Sequence, residues 1–104
     1  FPLWLAPVQV AIIPISEKHV SYAKEIQKQF IKEGIRSELK DENETLGKKI
    51  RASEMQKIMY LLIVGDKEIE AKSVSVRERG KGDLGAMATD KFIDKIKEEI
   101  INKK

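Results

Sequence analysis

The strongest constraint on the fold is residues 59–64, a continuous apolar run of strand length that stops at the polar sequence Gly65-Asp-Lys-Glu68. A strand that is apolar on both faces is typical of a central strand in an α/β sheet that has helices on both sides. Ligands of such sheets bind beyond the carboxyl ends of the strands. The sequence therefore predicts that function lies in the loops and helix ends around this run.

The other predicted elements alternate with this strand. The patterns indicate a strand at 8–13, a helix from Ser16 to about Glu33, a short strand at 35–39, a helix at about 45–57, a strand in the alternating segment 68–79, and a last helix from Thr89 or Asp90. This order predicts a mixed sheet of four or five strands with helices on both faces.

Length and composition limit the classes of function. The chain has 104 residues, enough for one domain, and a net charge of +3 that permits a nucleic-acid partner without requiring one. It contains no cysteine, and its only histidine, His19, is predicted to be an exposed surface residue rather than a catalytic base. No run approaches the ~20 apolar residues of a membrane span, so we expect no membrane partner. Residues 1–7 are apolar and contain two prolines. They are predicted to be a connector from a missing upstream domain, or an arm that docks on the sheet edge or core, and the two roles are compatible.

The sequence has no motif of a catalytic site. There is no Gly-x-Ser-x-Gly elbow, and residues 80–85 contain three glycines without the spacing of a phosphate-binding loop. A flexible connection is the predicted role of 80–85. We expect this domain to contain no catalytic residue and no metal site.

Several hydrogen-bonding side chains are predicted to converge on one end of the sheet: Asn43, Lys48, Arg51, Glu68 and Arg77. Amide, carboxylate and guanidinium groups together can read base edges and bind phosphate. Single-stranded RNA loops present bases to such a surface. An equally supported alternative is that Glu68 and Arg77 form a surface salt bridge and that Asn43 is only a helix cap.

The chain resembles a known family in five segments. These are residues 1–10 (Phe-Pro-Leu-Trp-Leu-Ala-Pro-Val-Gln-Val), 34–36, 43–51 (Asn-Glu-x-Leu-Gly-x-Lys-Ile-Arg), 60–68 and 74–77. Together they resemble the C-terminal anticodon-binding domain of threonyl-tRNA synthetase, over essentially the whole chain. The opening segment is the most specific, because in that family it marks the junction with the class II catalytic domain. The prolyl, histidyl and glycyl enzymes share the fold but match the opening less well.

The resemblance implies an α/β fold with a mixed, mostly parallel five-stranded sheet flanked by three helices. It implies that residues 8–104 bind the anticodon loop of threonine tRNA, chiefly its second and third bases, G and U. Asn43, Glu68 and Arg77 match positions that contact these bases. Lys48 and Arg51 match basic positions near the loop backbone, and Lys57 stands at a position near the anticodon that is often Arg, so a bidentate contact would become a point charge.

The resemblance also implies properties of the parent protein. ATP, Mg²⁺ and zinc would bind the missing catalytic domain and none would bind here; the parent would be a cytoplasmic, homodimeric threonine–tRNA ligase. Glu42, Thr45 and Met59 depart from the family pattern, which would reduce electrostatic affinity but leave base contacts intact. Two alternatives are a stand-alone module for protein interaction or subunit assembly and a flavodoxin-like enzyme. Pro14-Ile-Ser16 opposes the enzyme, because it replaces a phosphate loop at the first strand–helix turn.

Overall fold

The computed structural model describes residues 8–40, 45–79 and 81–102. The strands are β1 (Val10–Pro14), β2 (Ser37–Leu39), β3 (Tyr60–Val64), β4 (Ser73–Glu78) and β5 (Gly82–Ala88), and the helices are α1 (Val20–Lys32), α2 (Leu46–Met55), α3 (Asp66–Ala71) and α4 (Thr89–Ile101). One 3-10 turn, Glu17–His19, precedes α1. Residues 1–7, including the predicted connector, lie outside the described residues, and so does Asn43.

The five strands form one mixed sheet in the order β2-β1-β3-β4-β5. The β1–β2 and β1–β3 pairs are parallel, whereas the β3–β4 and β4–β5 pairs are antiparallel. The predicted mixed five-stranded sheet flanked by helices is confirmed. The expectation of a mostly parallel sheet is wrong, because parallel and antiparallel pairs are equal in number, and the described residues form four α-helices rather than three. The apolar run indeed forms the central strand, β3.

The two faces of the sheet carry unequal cores. The larger core lies between the sheet and helices α1 and α4, and it includes Phe30, Tyr60 and Phe92, all at most 1% exposed. The ring of Phe92 contacts Phe30 at 5.9 Å and Tyr60 edge-on at 5.4 Å between centroids. The smaller core joins β1 and β3 to Leu46 and Ile50 of α2, and it contains no residue of β4 or β5 among those described. Helix α2 therefore covers only part of its face.

Two predictions about the second half of the chain are wrong. Residues 66–71 form helix α3, not the start of an alternating strand, because the side chain of Glu68 accepts a hydrogen bond from the backbone N–H of Gly65 and caps the helix. Residues 82–85 are not a flexible connection but belong to β5. Gly85 has φ +89° opposite an irregular step of β4, which glycine adopts without strain.

Candidate nucleic-acid interface

Arg77 lies on the face of the sheet that α2 leaves open. It pairs with Leu61 of β3, and cross-strand partners point to the same face, which here is the face of the smaller core. Further along this face, Ser75 pairs with Ala86 of β5, whose side chain is exposed. Arg77 is partly exposed, and its side chain makes no hydrogen bond or ion pair within the described part of the chain. The guanidinium is therefore available to a ligand.

A cleft of about 300 Å³ opens beside Arg77, at the end of the sheet where β3 begins. Its buried wall is apolar, because Ile58 is 2% and Leu61 is 4% exposed. Its polar wall includes Arg77 and the exposed carboxylate of Glu54 at the end of α2. An apolar floor with a cation and an anion at its edge suits a flat heteroaromatic group that carries hydrogen-bond donors and acceptors.

Lys57 lies in the turn between α2 and β3, so the structure places it between two residues that line the cleft, Glu54 and Ile58. It has φ +61°, in the left-handed region that a non-glycine residue adopts at a cost of roughly 1 kcal/mol. The α2 helix ends here, since the Lys57 N–H donates to the carbonyl of Glu54 at 3.0 Å. The predicted site residues Lys57 and Arg77 are thus at the same end of the sheet.

Lys48 and Arg51 lie on the solvent side of α2, and both are exposed. Together with Glu54 they are spaced three residues apart, so the three side chains are successive neighbours along one face of the helix. This row leads from the start of α2 to the cleft. Neither cation forms an ion pair with a described residue, and both are free to contact an extended polyanion.

Glu68 is at the opposite end of β3. Arg77 pairs with Leu61, three residues before the strand ends, whereas Glu68 follows that end in α3, so the two lie more than about 10 Å apart along the strand. The proposed surface salt bridge between Glu68 and Arg77 is not formed, and the carboxylate of Glu68 instead accepts from Gly65 at 3.0 Å. The structure therefore does not bring all the predicted residues to one end. A ligand that touches both must extend along the sheet.

Thr45, not Asn43, is the N-cap of α2, because its hydroxyl accepts a hydrogen bond from the Lys48 N–H at 3.2 Å. A polar residue that departs from the family pattern thus has a structural role here.

Lys49 lies on the inner face of α2, a position that was not predicted from the sequence. It is 7% exposed, and its Nζ lies 3.4 Å from the carbonyl oxygen of Pro14 at the end of β1. The signal was present in the spacing, since Leu46, Lys49, Ile50 and Ser53 follow the three–four periodicity of one helix face. Lys49 ties α2 to the carboxyl end of β1.

His19 is buried, so its prediction as an exposed residue is wrong. It is 3% exposed, its Nδ1 lies 3.1 Å from the backbone nitrogen of Ser16, and its Nε2 lies 2.9 Å from Oδ1 of Asp66. The hydrogen bond from His19 holds the pKa of the Asp66 carboxyl below its ordinary value, and the charge of Lys18 at 3.5 Å adds to this effect. The contact joins the loop after β1 to the start of α3.

A polar network closes the larger core at the start of β3. The hydroxyl of Tyr60 donates to the carboxylate of Glu99, with oxygen distances of 2.6 and 2.8 Å, and accepts from Nζ of Lys95 at 2.9 Å. Lys95 also lies 4.8 Å from the centre of the Tyr60 ring. Burial, and then hydrogen bonding to Glu99, raise the pKa of Tyr60 far above its ordinary value of 10.0. These groups hold β3 and α4 together behind the open face.

Within the described residues, no group of three or more histidine, aspartate or glutamate side chains is arranged to hold a metal ion. No described helix combines the length and the apolar character needed to cross a membrane.

Comparison with known proteins agrees with this geometry. The family model described as the anticodon binding domain matches residues 9–99. The chain belongs to this family. It is 54% identical over 104 residues to the threonine–tRNA ligase of Carboxydothermus hydrogenoformans and 53% identical over 103 residues to that of Caldanaerobacter subterraneus. These matches cover 100% and 99% of the chain but 16% of each ligase, so the chain spans about a sixth of the length of these curated relatives.

Two solved structures of aminoacyl-tRNA synthetases share the fold. The RNA-binding domain of threonyl-tRNA synthetase from Cryptosporidium parvum superimposes with a TM-score of 0.89 at 31% identity, over 95% of this chain and 25% of that one. Prolyl-tRNA synthetase from the same organism gives a TM-score of 0.86 at 28% identity, over 99% of this chain and 22% of that one. The family resemblance read from the sequence is confirmed, and the stand-alone module is not favoured.

Proposed function

We propose that this chain is the anticodon-binding domain of a threonyl-tRNA synthetase and that it recognises the anticodon loop of threonine tRNA. The proposal is supported by identities above 50% to threonine–tRNA ligases along the whole chain. The structural observation that carries it is the guanidinium of Arg77, which has no partner among the described residues. It lies beside a cleft with an apolar floor, on the part of the smaller-core face that α2 does not cover.

In the proposed complex, the anticodon loop lies along the open face of β4. Arg77 offers a planar fork of donors to a base edge on this face, and the carboxylate of Glu68 accepts hydrogen bonds from base amino or imino groups beyond the carboxyl end of β3. The exposed row of Lys48 and Arg51 on α2 contacts the phosphate backbone, and Lys57 adds a point charge beside the cleft. Asn43, which precedes α2 in the sequence, is the third proposed base contact.

The parent protein has further proposed properties. Residues 1–7 would connect this domain to an upstream catalytic domain, which would bind ATP, Mg²⁺ and zinc and perform threonine transfer to tRNA. The parent would act in the cytoplasm as a homodimer. In that protein, the binding energy of the anticodon contacts would increase the specificity of aminoacylation, although the contacts lie far from the reacting groups. This requires that the contacts persist in the transition state.

The test is binding of a threonine-tRNA anticodon stem-loop by fluorescence anisotropy at low salt, beside a stem-loop whose middle anticodon G is replaced by A. Wild type should prefer the G loop, and Arg77→Ala should lose about tenfold of that preference, the value of one charge-assisted hydrogen bond. Lys28→Ala is the matched control, because it removes an exposed cation from α1 on the other face of the sheet. Equal binding of both loops by wild type contradicts the proposal.

A further inference from the structure

Helix α3 is held at both ends by polar contacts. It has only six residues, Asp66–Ala71, and none of them is buried. A helix this short is not stable by itself, so its position depends on the groups that hold its two ends. At its carboxyl end, the hydroxyl of Thr89 lies 3.4 Å from the carbonyl of Lys72, the residue that follows the helix. At its amino end, the contacts are with His19, Lys18 and the helix's own Glu68.

His19 is the buried partner of Asp66 at that end. The Nδ1 atom accepts the backbone N–H of Ser16 at 3.1 Å, so the ring proton is on Nε2, which donates to Asp66 Oδ1 at 2.9 Å. The Ser16 hydroxyl also lies 3.1 Å from Nδ1. With both nitrogens engaged and the side chain 4% exposed, the ring has one orientation. The ring therefore holds the first residue of α3 in one position.

The second contact of Asp66 is weaker. Lys18 and Asp66 are 3.5 Å apart, and their side chains are 69% and 71% exposed, so the pair is solvated and contributes little. Asp66 is the first residue of α3 and Glu68 is the third. Because both lie in one helical turn, the position of Asp66 sets the position of the Glu68 backbone. Oε2 of Glu68 accepts the N–H of Gly65 at 3.0 Å, and the other oxygen, Oε1, makes no hydrogen bond with a described residue.

We propose that His19 is a positioning residue for RNA recognition: through Asp66 it fixes α3 so that the carboxylate of Glu68 meets its base. The inference rests on the proposed function, because it needs Glu68 to contact RNA. It adds a residue that touches no ligand but controls discrimination beyond the carboxyl end of β3. Discrimination by Arg77, which is on β4 at the other end, does not depend on His19.

A pair of substitutions separates the two halves of the His19 contact. In His19→Gln the amide nitrogen reaches the position of Nε2 and can still donate to Asp66. In His19→Asn the amide stops near the position of Nδ1, so the contact with Ser16 remains possible and the contact with Asp66 is lost. Asp66→Ala removes the same contact from its exposed side, where folding is least at risk, and Lys18→Ala removes the solvated partner as a control.

The experiment measures binding of the full chain to anticodon stem-loops in which each anticodon base is replaced in turn. Glu68→Gln first identifies the base whose discrimination depends on Glu68. His19→Asn and Asp66→Ala should each reduce discrimination at that base by about tenfold. His19→Gln should retain most of it, and Lys18→Ala should retain all of it. Discrimination at the Arg77-dependent base should remain unchanged in all four variants, which a general loss of structure would not allow.

Amide hydrogen exchange supplies a readout that does not involve RNA. Exchange across Asp66–Ala71 should accelerate in His19→Asn and in Asp66→Ala, and the double variant should be no faster than either, because both remove the same contact. If Glu68→Gln alters no base preference, the Glu68 assignment and this proposal are both overturned. If it does alter one while His19→Asn and Asp66→Ala leave that preference intact, only the role of His19 is refuted.

Discussion

Replacement of Glu68 by alanine should destabilise the domain even in the absence of RNA. The carboxylate accepts the N–H of Gly65 at 3.0 Å, and Gly65 is buried, so the substitution leaves a buried donor without this partner. Such a loss costs about 1–3 kcal/mol, and the loss of an acidic residue from the first turn of a helix adds a few tenths. We expect a decrease in the free energy of unfolding of about 1.5 kcal/mol, which lowers the melting temperature of a domain of this size by about 6–12 °C.

Glu68→Gln separates this structural role from the proposed RNA contact. The amide oxygen of glutamine can still accept from Gly65, so the melting temperature should change by the equivalent of no more than about 0.5 kcal/mol. The amide nitrogen, however, is a donor and cannot accept from a base amino group. Glu68→Gln should therefore fold normally and lose base preference.

The assay is thermal and urea unfolding followed by far-ultraviolet circular dichroism. Glu70→Ala is the matched control, since Glu70 is an exposed glutamate of the same helix. It should unfold within about 0.5 kcal/mol of wild type. The reasoning is refuted if Glu68→Ala unfolds at the wild-type temperature, because the carboxylate would then not be held by the Gly65 backbone.

Three further predictions concern the scaffold behind the interface. Tyr60→Phe should lower the free energy of unfolding in urea by about 1.5–3 kcal/mol, because it removes a hydroxyl that donates to the charged Glu99. Tyr22→Phe removes a hydrogen bond to a neutral backbone carbonyl and should lower it by about 0.5–1.5 kcal/mol. Equal losses would contradict the polar network around Tyr60. Burial raises the pKa of both tyrosines above their ordinary value of 10.0. Their contribution to the free energy of unfolding is therefore complete below about pH 10, the pKa in the unfolded chain, and is lost as the pH rises further. The absorbance of the Tyr60 tyrosinate should appear only with unfolding, so ionisation of Tyr60 in the folded protein near pH 10 would contradict its burial. Gly34→Ala should destabilise the domain by about 1–2 kcal/mol, because Gly34 has φ +78°. Gly47→Ala, inside α2 where an added Cβ meets no atom, should stabilise it by about 0.5–1 kcal/mol. Melting temperatures in the order Gly34→Ala, wild type, Gly47→Ala would support both predictions, and any other order would contradict at least one.

The central part of the fold could be predicted from the sequence because its signals are local. The run at β3 is apolar on both faces, and the stripes of α1 and α4 repeat at helical spacing, so each element is specified by its own residues. The positions of Lys48 and Arg51 on the outside of α2 follow from the same periodicity.

The parts that could not be predicted depend on distant contacts. Strand β5 contains two glycines and no β-branched residue, and it is a strand because β4 pairs with it. Helix α3 depends on a cap and on His19, whose partner Asp66 is 47 positions away in the chain. Glu68 and Arg77 are separated because β4 runs antiparallel to β3. Arg77, near the end of β4, therefore pairs with the beginning of β3, whereas Glu68 follows the end of β3 in α3.

The most direct test of the central claim is a map of the RNA-binding surface. Amide chemical shifts of the labelled domain would be recorded during titration with the threonine-tRNA anticodon stem-loop. The account predicts shifts in β4 around Arg77, along the outer face of α2 at Lys48 and Arg51, and in α3 at Glu68, with none around Lys28 on the outer face of α1. Shifts confined to α1 and α4, with β4 and α2 unaffected, would contradict it.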